Sequence, residues 1–259
     1  MEKSAQPIGI FDSGIGGTSI WREIHRLLPN EDTLYLADSK NAPYGQRPKE
    51  EIIELSRKNT EYLLEQGAKI IVVACNTATT NAINELRSLY NIPFIGIEPA
   101  IKPAAINTKT GAIGILATKG TLSSALFNKA VLGLKDVKVI EQVGYNLVTL
   151  IEEGHIDSDE MLEILLQYLK PMVQANIDYL VLGCSHYPYL IPQIKKILPE
   201  NVTIIDSGEA VARQTQAVLQ QNGLLNTIPR QSSQVFYTNY KPEVLQSFVK
   251  GFPVAEKDF

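Results

Sequence analysis

A chain of 259 residues exceeds the usual size of a single core, so one large α/β domain or two smaller ones are open. With 44% hydrophobic and 20% charged residues it has an ordinary globular composition, and a net charge of −4 leaves no electrostatic footprint for nucleic acid or an anionic membrane surface. No apolar stretch approaches a membrane span, residues 1–6 are polar and residues 7–11 are too short for the core of a secretory signal; the expected place is the cytoplasm, where thiols stay reduced.

Residues 8–11 are the first strand candidate and run into D-S-G-I-G-G-T at 12–18. Thr18 or Ser19 is placed to cap a helix whose apolar positions, Ile20, Trp21, Ile24, Leu27 and Leu28, follow at helical spacing. Strand, glycine turn and helix start make an anion site from backbone N–H groups. Ser19 stands where a dinucleotide fingerprint needs its third glycine, and the turn lacks a P-loop ending. Taken alone, the glycines serve a tight turn as readily as a ligand. Asp12, a carboxylate at the C-terminal tip of a strand, lies where open α/β sheets place their sites. Residues 33–37 read as a second strand and 38–48 as a loop crowded with turn residues, Tyr44 and Gly45 among them. An amphipathic helix is expected over 49–66 with Gly67 as its C′ residue, then a strand at 70–73, a helix at 79–90 and a strand at 94–97.

The pattern then starts again. A strand at 113–116 ends in A-T-K-G-T, followed by a helix at 122–132, a strand at 137–141, helices at 147–152 and 158–175, a strand at 179–182 and a helix at 193–198. A strand at 202–205, a helix at 209–221, a polar link at 231–233, a strand at 235–238 and a helix at 242–249 lead to a short charged tail. Alternating strand and helix argue for parallel βαβ units. The predicted fold is α/β, with two similar parallel-sheet domains facing each other across a central active-site cleft.

The only two cysteines occupy matching contexts: residues 70–77 read I-I-V-V-A-C-N-T and residues 179–186 read Y-L-V-L-G-C-S-H, so each thiol follows a branched apolar run. Lone cytosolic thiols are usually just buried apolar side chains. Here polar residues that a core strand would not want follow both at once. His25, His155 and His186 are far apart, and neither cysteine belongs to a C-x-x-C pair, so no metal site is expected.

Two thiols on opposite sides of a small ligand can remove a proton from a carbon and return one from the other face, which is racemisation or epimerisation. A thiol suits this, because its ordinary pKa of about 8.5 leaves both protonation states reachable. Asp12 is placed to hydrogen-bond the Cys75 side, and His186, two residues beyond Cys184 in an extended segment, to hold a proton on the other. Glu152 or Glu153 is placed to orient that imidazole. Hydroxyls and amides at the strand tips (Ser13, Asn76, Thr77, Thr118, Thr121 and Ser185) suit a small anionic substrate. Nothing marks a pyridoxal-phosphate lysine, a flavin or a nucleotide, so a cofactor-free reaction is expected.

Four motifs, D-S-G-I-G-G at 12–17, P-Y-G at 43–45, A-C-N-T-A-T at 74–79 and G-C-S-H-Y-P at 183–188, together resemble the glutamate racemases of the aspartate/glutamate racemase family over nearly the full chain. The resemblance implies two related α/β domains around a cofactor-free site that supplies D-glutamate for peptidoglycan. It implies Cys75 and Cys184 as the two catalytic bases, assisted by Asp12, Glu152 and His186. It also implies Ser13, Tyr44, Gly45, Asn76, Thr77 and Ser185 as substrate contacts, with Thr118 and Thr121 in a second carboxylate loop. It further implies a split first domain, 1–97 plus 209–259, around a second domain, 98–208. The family usually reads G-C-T-H-Y-P; Ser185 keeps the hydroxyl and lacks the methyl. The short N-terminus is expected to lack the extension of members activated by a cell-wall precursor. Glutamate is the implied partner, with no nucleic acid or membrane, and a homodimer stays open. An aspartate racemase of the same family, a non-catalytic anion-binding module and, more remotely, a cysteine hydrolase are the competing readings.

Overall fold

The computed structural model describes residues 3–259. In chain order the first half carries β1 (Ile8–Asp12), α1 (Thr18–Leu27), β2 (Thr33–Ala37), α2 (Lys49–Glu65), β3 (Ile70–Val73), α3 (Asn76–Leu89) and β4 (Phe94–Gly96). There follow α4 (Ile101–Asn107), β5 (Ala112–Ala117), α5 (Lys119–Leu122), α6 (Ala125–Leu132), β6 (Lys138–Val143), α7 (Leu147–Glu152), α8 (Asp159–Gln174), β7 (Tyr179–Gly183), α9 (Ile191–Ile197) and β8 (Thr203–Ile205). The chain ends with α10 (Gly208–Gln221), β9 (Gln234–Thr238), α11 (Pro242–Phe248) and β10 (Val254–Glu256).

The strands form two sheets, ordered β10-β9-β2-β1-β3-β4 and β6-β5-β7-β8, and every pairing is parallel. In the first sheet the chain steps from β1 to β2 on one side and returns to β3 on the other. In the second it steps from β5 to β6 and returns to β7. Each sheet therefore has one point where the strand order reverses, and open parallel sheets bind ligands beyond the carboxyl ends of the strands at that point. The four tips beside the two reversals lead into Asp12, Cys75, Thr118 and Cys184.

Alternation along the strands divides the core into three. Ile8, Ile10, Ile70 and Val72 share one apolar cluster with Leu116, Leu180, Leu182, Met161 and Leu165, so this cluster runs without interruption from one sheet to the other. Phe11, Leu36, Ile71 and Val73 face the opposite side of the first sheet under Leu63 and Leu86, and Ile113, Ile115 and Val181 face the opposite side of the second under Phe127.

Several elements depart from the sequence reading. The cap of α1 is Gly17; the Thr18 and Ser19 hydroxyls instead donate back to the carbonyls of Ile15 and Gly16, at 2.6 and 2.9 Å. Helix α3 begins at Asn76, three residues before the expected start, because the Cys75 sulfur caps it by accepting from Ala78 N at 3.4 Å. The expected helix over 122–132 is two, because the Ser124 hydroxyl opens a new one by accepting from Phe127 N at 3.2 Å. Helix α4 was not expected: Pro103 hides its short apolar face. Nor was β10, a three-residue, half-exposed edge strand in the charged tail.

One buried ion pair ties the far end of the first sheet. Lys69, at the start of β3, meets Glu31, before β2, with both side chains 1% exposed. The ammonium also donates to Ser4 O at 2.6 Å, and Glu31 accepts from Asn226 N at 2.8 Å on the segment returning to β9. Removing one partner leaves a charge buried alone. Lys69→Met is expected to lower stability by about 3–5 kcal/mol in chemical denaturation; a midpoint within error of the parent would show the pair to be dispensable.

Candidate active site

The carboxyl ends of the two sheets face each other so closely that the space between them is a cavity of about 10 Å³, room for about one water. It is lined by Ser13, Pro43, Tyr44, Gly45, Cys75, Asn76, Thr77, Thr118, Val148, Cys184, Ser185 and His186. Both thiols therefore open onto one enclosed space, one from each sheet.

Glycines permit this approach. A Cβ on Gly14 would sit 1.9 Å from Glu152 Oε1, and one on Gly16 would sit 2.2 Å from His186 Nδ1. On the other side of the cavity a Cβ on Gly45 would meet Thr118 Cβ at 2.7 Å, and one on Gly120 would meet Thr77 Cγ2 at 2.9 Å. The glycine turn after β1 thus serves to admit side chains from the other half. Its expected anion site exists and is filled from within: Ile15 N donates to Glu152 Oε1 at 2.6 Å.

Around Cys184 the segment is a turn and not extended, with His186 in helical conformation at φ −76 and ψ −31. That turn folds the imidazole back, so Nδ1 lies 3.8 Å from Cys184 Sγ. Nε2 meets Glu152 Oε1 at 2.6 Å, which decides between the two adjacent glutamates; Glu153 is exposed, 3.6 Å from His155. Burial disfavours the charged imidazole, but the Cys184 and Glu152 hydrogen bonds and the Asp12 charge outweigh it, and the His186 pKa lies well above its usual value. The imidazolium is the favoured form near neutrality.

Around Cys75 the balance is opposite. Burial, with the Asp12 charge adding to it, pushes the thiol far above its ordinary range, and the Ala78 N–H and Ser13 hydroxyl offset little of this. Cys75 is held as a thiol. Asp12 does not bond it; the partner of the Cys75 sulfur is Ser13 Oγ at 3.6 Å. The Asp12 carboxylate accepts from Gly14 N at 3.0 Å and, across the cavity, from Ser185 Oγ at 2.9 Å. Burial raises the Asp12 pKa despite the His186 charge and the Ser185 bond.

The remaining expected contacts fall into three groups. Thr77, Thr118 and Thr121 form a hydroxyl cluster joining the halves, with the Thr77–Thr118 contact at 2.8 Å and the Thr118–Thr121 contact at 3.0 Å. Tyr44 and Gly45 line the cavity, but the Tyr44 hydroxyl turns away to the buried Asp38 carboxylate and accepts from Asn59 at 3.0 Å. Asn76, 2% exposed, has neither its amide nitrogen nor its oxygen paired. A buried carboxamide without partners is costly, and a polar ligand in the adjoining cavity would satisfy it. Thr121, Asp12 and Glu152 stand behind the lining. Val148, an apolar wall from α7, was not expected, because in sequence it is indistinguishable from core.

Among the described residues, no group of three or more His, Cys, Asp or Glu side chains is placed to hold a metal, and no helix is long and apolar enough to cross a membrane.

Residues 8–215 match the family model described as Asp/Glu/Hydantoin racemase. A glutamate racemase of Ectopseudomonas mendocina is 49% identical over 236 residues, covering 90% of this chain and 89% of the relative. Among solved structures, a glutamate racemase of Bacillus anthracis superposes with a TM-score of 0.86 at 34% identity, covering 98% of each chain. The Escherichia coli glutamate racemase in complex with L-glutamate and the activator UDP-MurNAc-ala gives a TM-score of 0.86 at 31% identity over 97% of each chain. Paired parallel sheets, a shared thiol-lined cavity and matches over nearly the full length lead to one conclusion: the chain belongs to the aspartate/glutamate racemase family of amino-acid isomerases.

Proposed function

We propose that this chain interconverts L- and D-glutamate by proton transfer between two thiols, without a cofactor, and so supplies D-glutamate for peptidoglycan. The observation that carries the reading is the convergence of Cys75 and Cys184, from the reversal points of two different sheets, on one cavity beside the unpaired Asn76. The units enclosing it are residues 1–97 with 209–259, and residues 98–208; the pairing of β9 with β2 supports that division.

The steps balance without an added reagent. Cys184, as thiolate beside the His186 imidazolium, takes the α-proton of one enantiomer. The carbanion left on the α-carbon takes the Cys75 thiol proton on its opposite face. The enzyme then holds a Cys184 thiol and a Cys75 thiolate, the starting state for the other enantiomer. Charge on Cys75 is costly in the closed, dry cavity, so the ammonium of the bound amino acid and the Ser13 and Ala78 donors have to offset it. Glutamate is favoured over aspartate by the relatives' substrate and by the threonine cluster, which offers hydroxyls to a distal carboxylate.

Circular dichroism of L-glutamate with the purified protein, without pyridoxal phosphate or metal, is expected to decay to zero while L-aspartate holds its signal. Loss with aspartate alone would reassign the substrate, and no loss with either would end the racemase reading. Cys75→Ser and Cys184→Ser are each expected to reduce turnover by about 10²–10⁴-fold with folding retained; a variant with near-parental turnover would exclude that thiol as a base. Gly16→Ala, which displaces His186, is expected to cost roughly 10²-fold in kcat with an unchanged far-ultraviolet spectrum. Parental kcat in that variant would show that the close approach is not needed.

A further inference from the structure

We infer that Ser39 is a positioning residue of the reaction: its hydroxyl and the Ile15 N–H, both carried by the first half, complete the Glu152–His186–Cys184 relay of the second half only when the halves are closed. The inference rests on the two-thiol reading above.

Glu152 is the last residue of α7, where the helix dipole disfavours a carboxylate. It is also largely buried, its side chain 12% exposed. Its charge needs donors, and α7 supplies none. Three are in place: His186 Nε2 at 2.6 Å from the same half, and Ile15 N at 2.6 Å and Ser39 Oγ at 2.8 Å from the other. The two oxygens divide these partners, Oε1 taking His186 and Ile15 and Oε2 taking Ser39.

Ser39 is held firmly enough to serve. It opens a short 3₁₀ turn, Ser39–Asn41, directly after Asp38, whose N–H donates to Asp12 O at 3.1 Å. The buried Asp38 carboxylate accepts from Asn41 at 2.8 Å, from Asn239 at 2.6 Å and from the Tyr44 hydroxyl. Asn239 in turn accepts from Lys40 N at 2.9 Å. The Ser39 hydroxyl is thus a preorganised donor and not a wandering surface group.

Closure is where this matters. A cavity with room for about one water cannot admit an amino acid, so the halves must part for exchange of substrate and product. Parting removes Ile15 and Ser39 from Glu152 and leaves it with His186 alone. Closing restores them. Each donated hydrogen bond takes up part of the carboxylate's charge, which limits how strongly Glu152 holds the proton on His186. The other ionisable groups facing the pair are Asp12 from β1, Cys184 itself, Cys75 across the cavity, and Tyr35 from β2, whose hydroxyl donates to Gly14 O at 2.8 Å. Ser39, unlike these, does not ionise, so its hydroxyl can be removed without changing the charge of the site.

The sign follows. Without the Ser39 hydroxyl, more of the Glu152 charge falls on His186, the imidazolium keeps its proton to higher pH, and the basic limb of activity moves up.

The test is the pH profile of kcat and kcat/KM for glutamate racemisation by the parent, Ser39→Ala and Ser39→Thr. Ser39→Ala is expected to lower kcat on the order of tenfold and to move the basic limb upward by roughly one pH unit. Ser39→Thr, which keeps the hydroxyl, is expected to restore both. A lower rate with an unmoved limb, or a threonine variant that behaves like alanine, reduces Ser39 to a packing role and overturns the inference. Cys184→Ser distinguishes the underlying reading: turnover retained there overturns the two-thiol mechanism, whereas an inactive Cys184→Ser beside an unmoved Ser39→Ala limb overturns only the role of Ser39.

Discussion

The site depends on side chains of one half hydrogen-bonding to the backbone of the other. Glu152 reaches Ile15 N, and the His186 ring lies against Gly16, at distances that no Cβ would tolerate. The same condition holds on the opposite side of the cavity, where Gly45 and Gly120 let the Thr77–Thr118 contact form. Glycine in these turns is a requirement of space. None of the four has a positive φ, so conformational freedom is not what they provide.

From that closeness comes the electrostatic character of the site. Excluding water makes each charge sensitive to its neighbours. Cys75 is driven toward the thiol because burial and Asp12 act together, while His186 is driven toward the imidazolium because Cys184, Glu152 and Asp12 overcome burial. The two thiols therefore stand in unlike surroundings, though the two strand-tip architectures are alike.

That likeness has a topological cause. A parallel sheet whose strand order reverses leaves a gap between the helices above its carboxyl edge, and both sheets reverse once. Set tip to tip, with one apolar cluster running between them, the two gaps become one cavity. The first sheet is widened by β9 and β10 from the end of the chain, so the polypeptide leaves the first sheet and returns to it.

Residue pattern alone determined the parallel strands, since a strand buried on both faces must be apolar throughout, as Ile70–Val73 and Tyr179–Gly183 are. It also determined that both cysteines stand at strand tips in matching contexts, because local order places them there whatever the rest of the chain does. Other features belong to tertiary structure because they depend on residues far apart in the chain. Glu152 differs from Glu153 only in which one faces His186, and Asp12 pairs with Ser185 and not Cys75 because the opposing half supplies a nearer donor. The Cys75 cap of α3 and the turn that folds His186 onto Cys184 are local, yet strand and helix periodicity does not report them. The hydroxyl of Ser39 against Glu152 is fixed by distance across the closed cavity, and periodicity within one strand or helix contains no information about what approaches it from the other side.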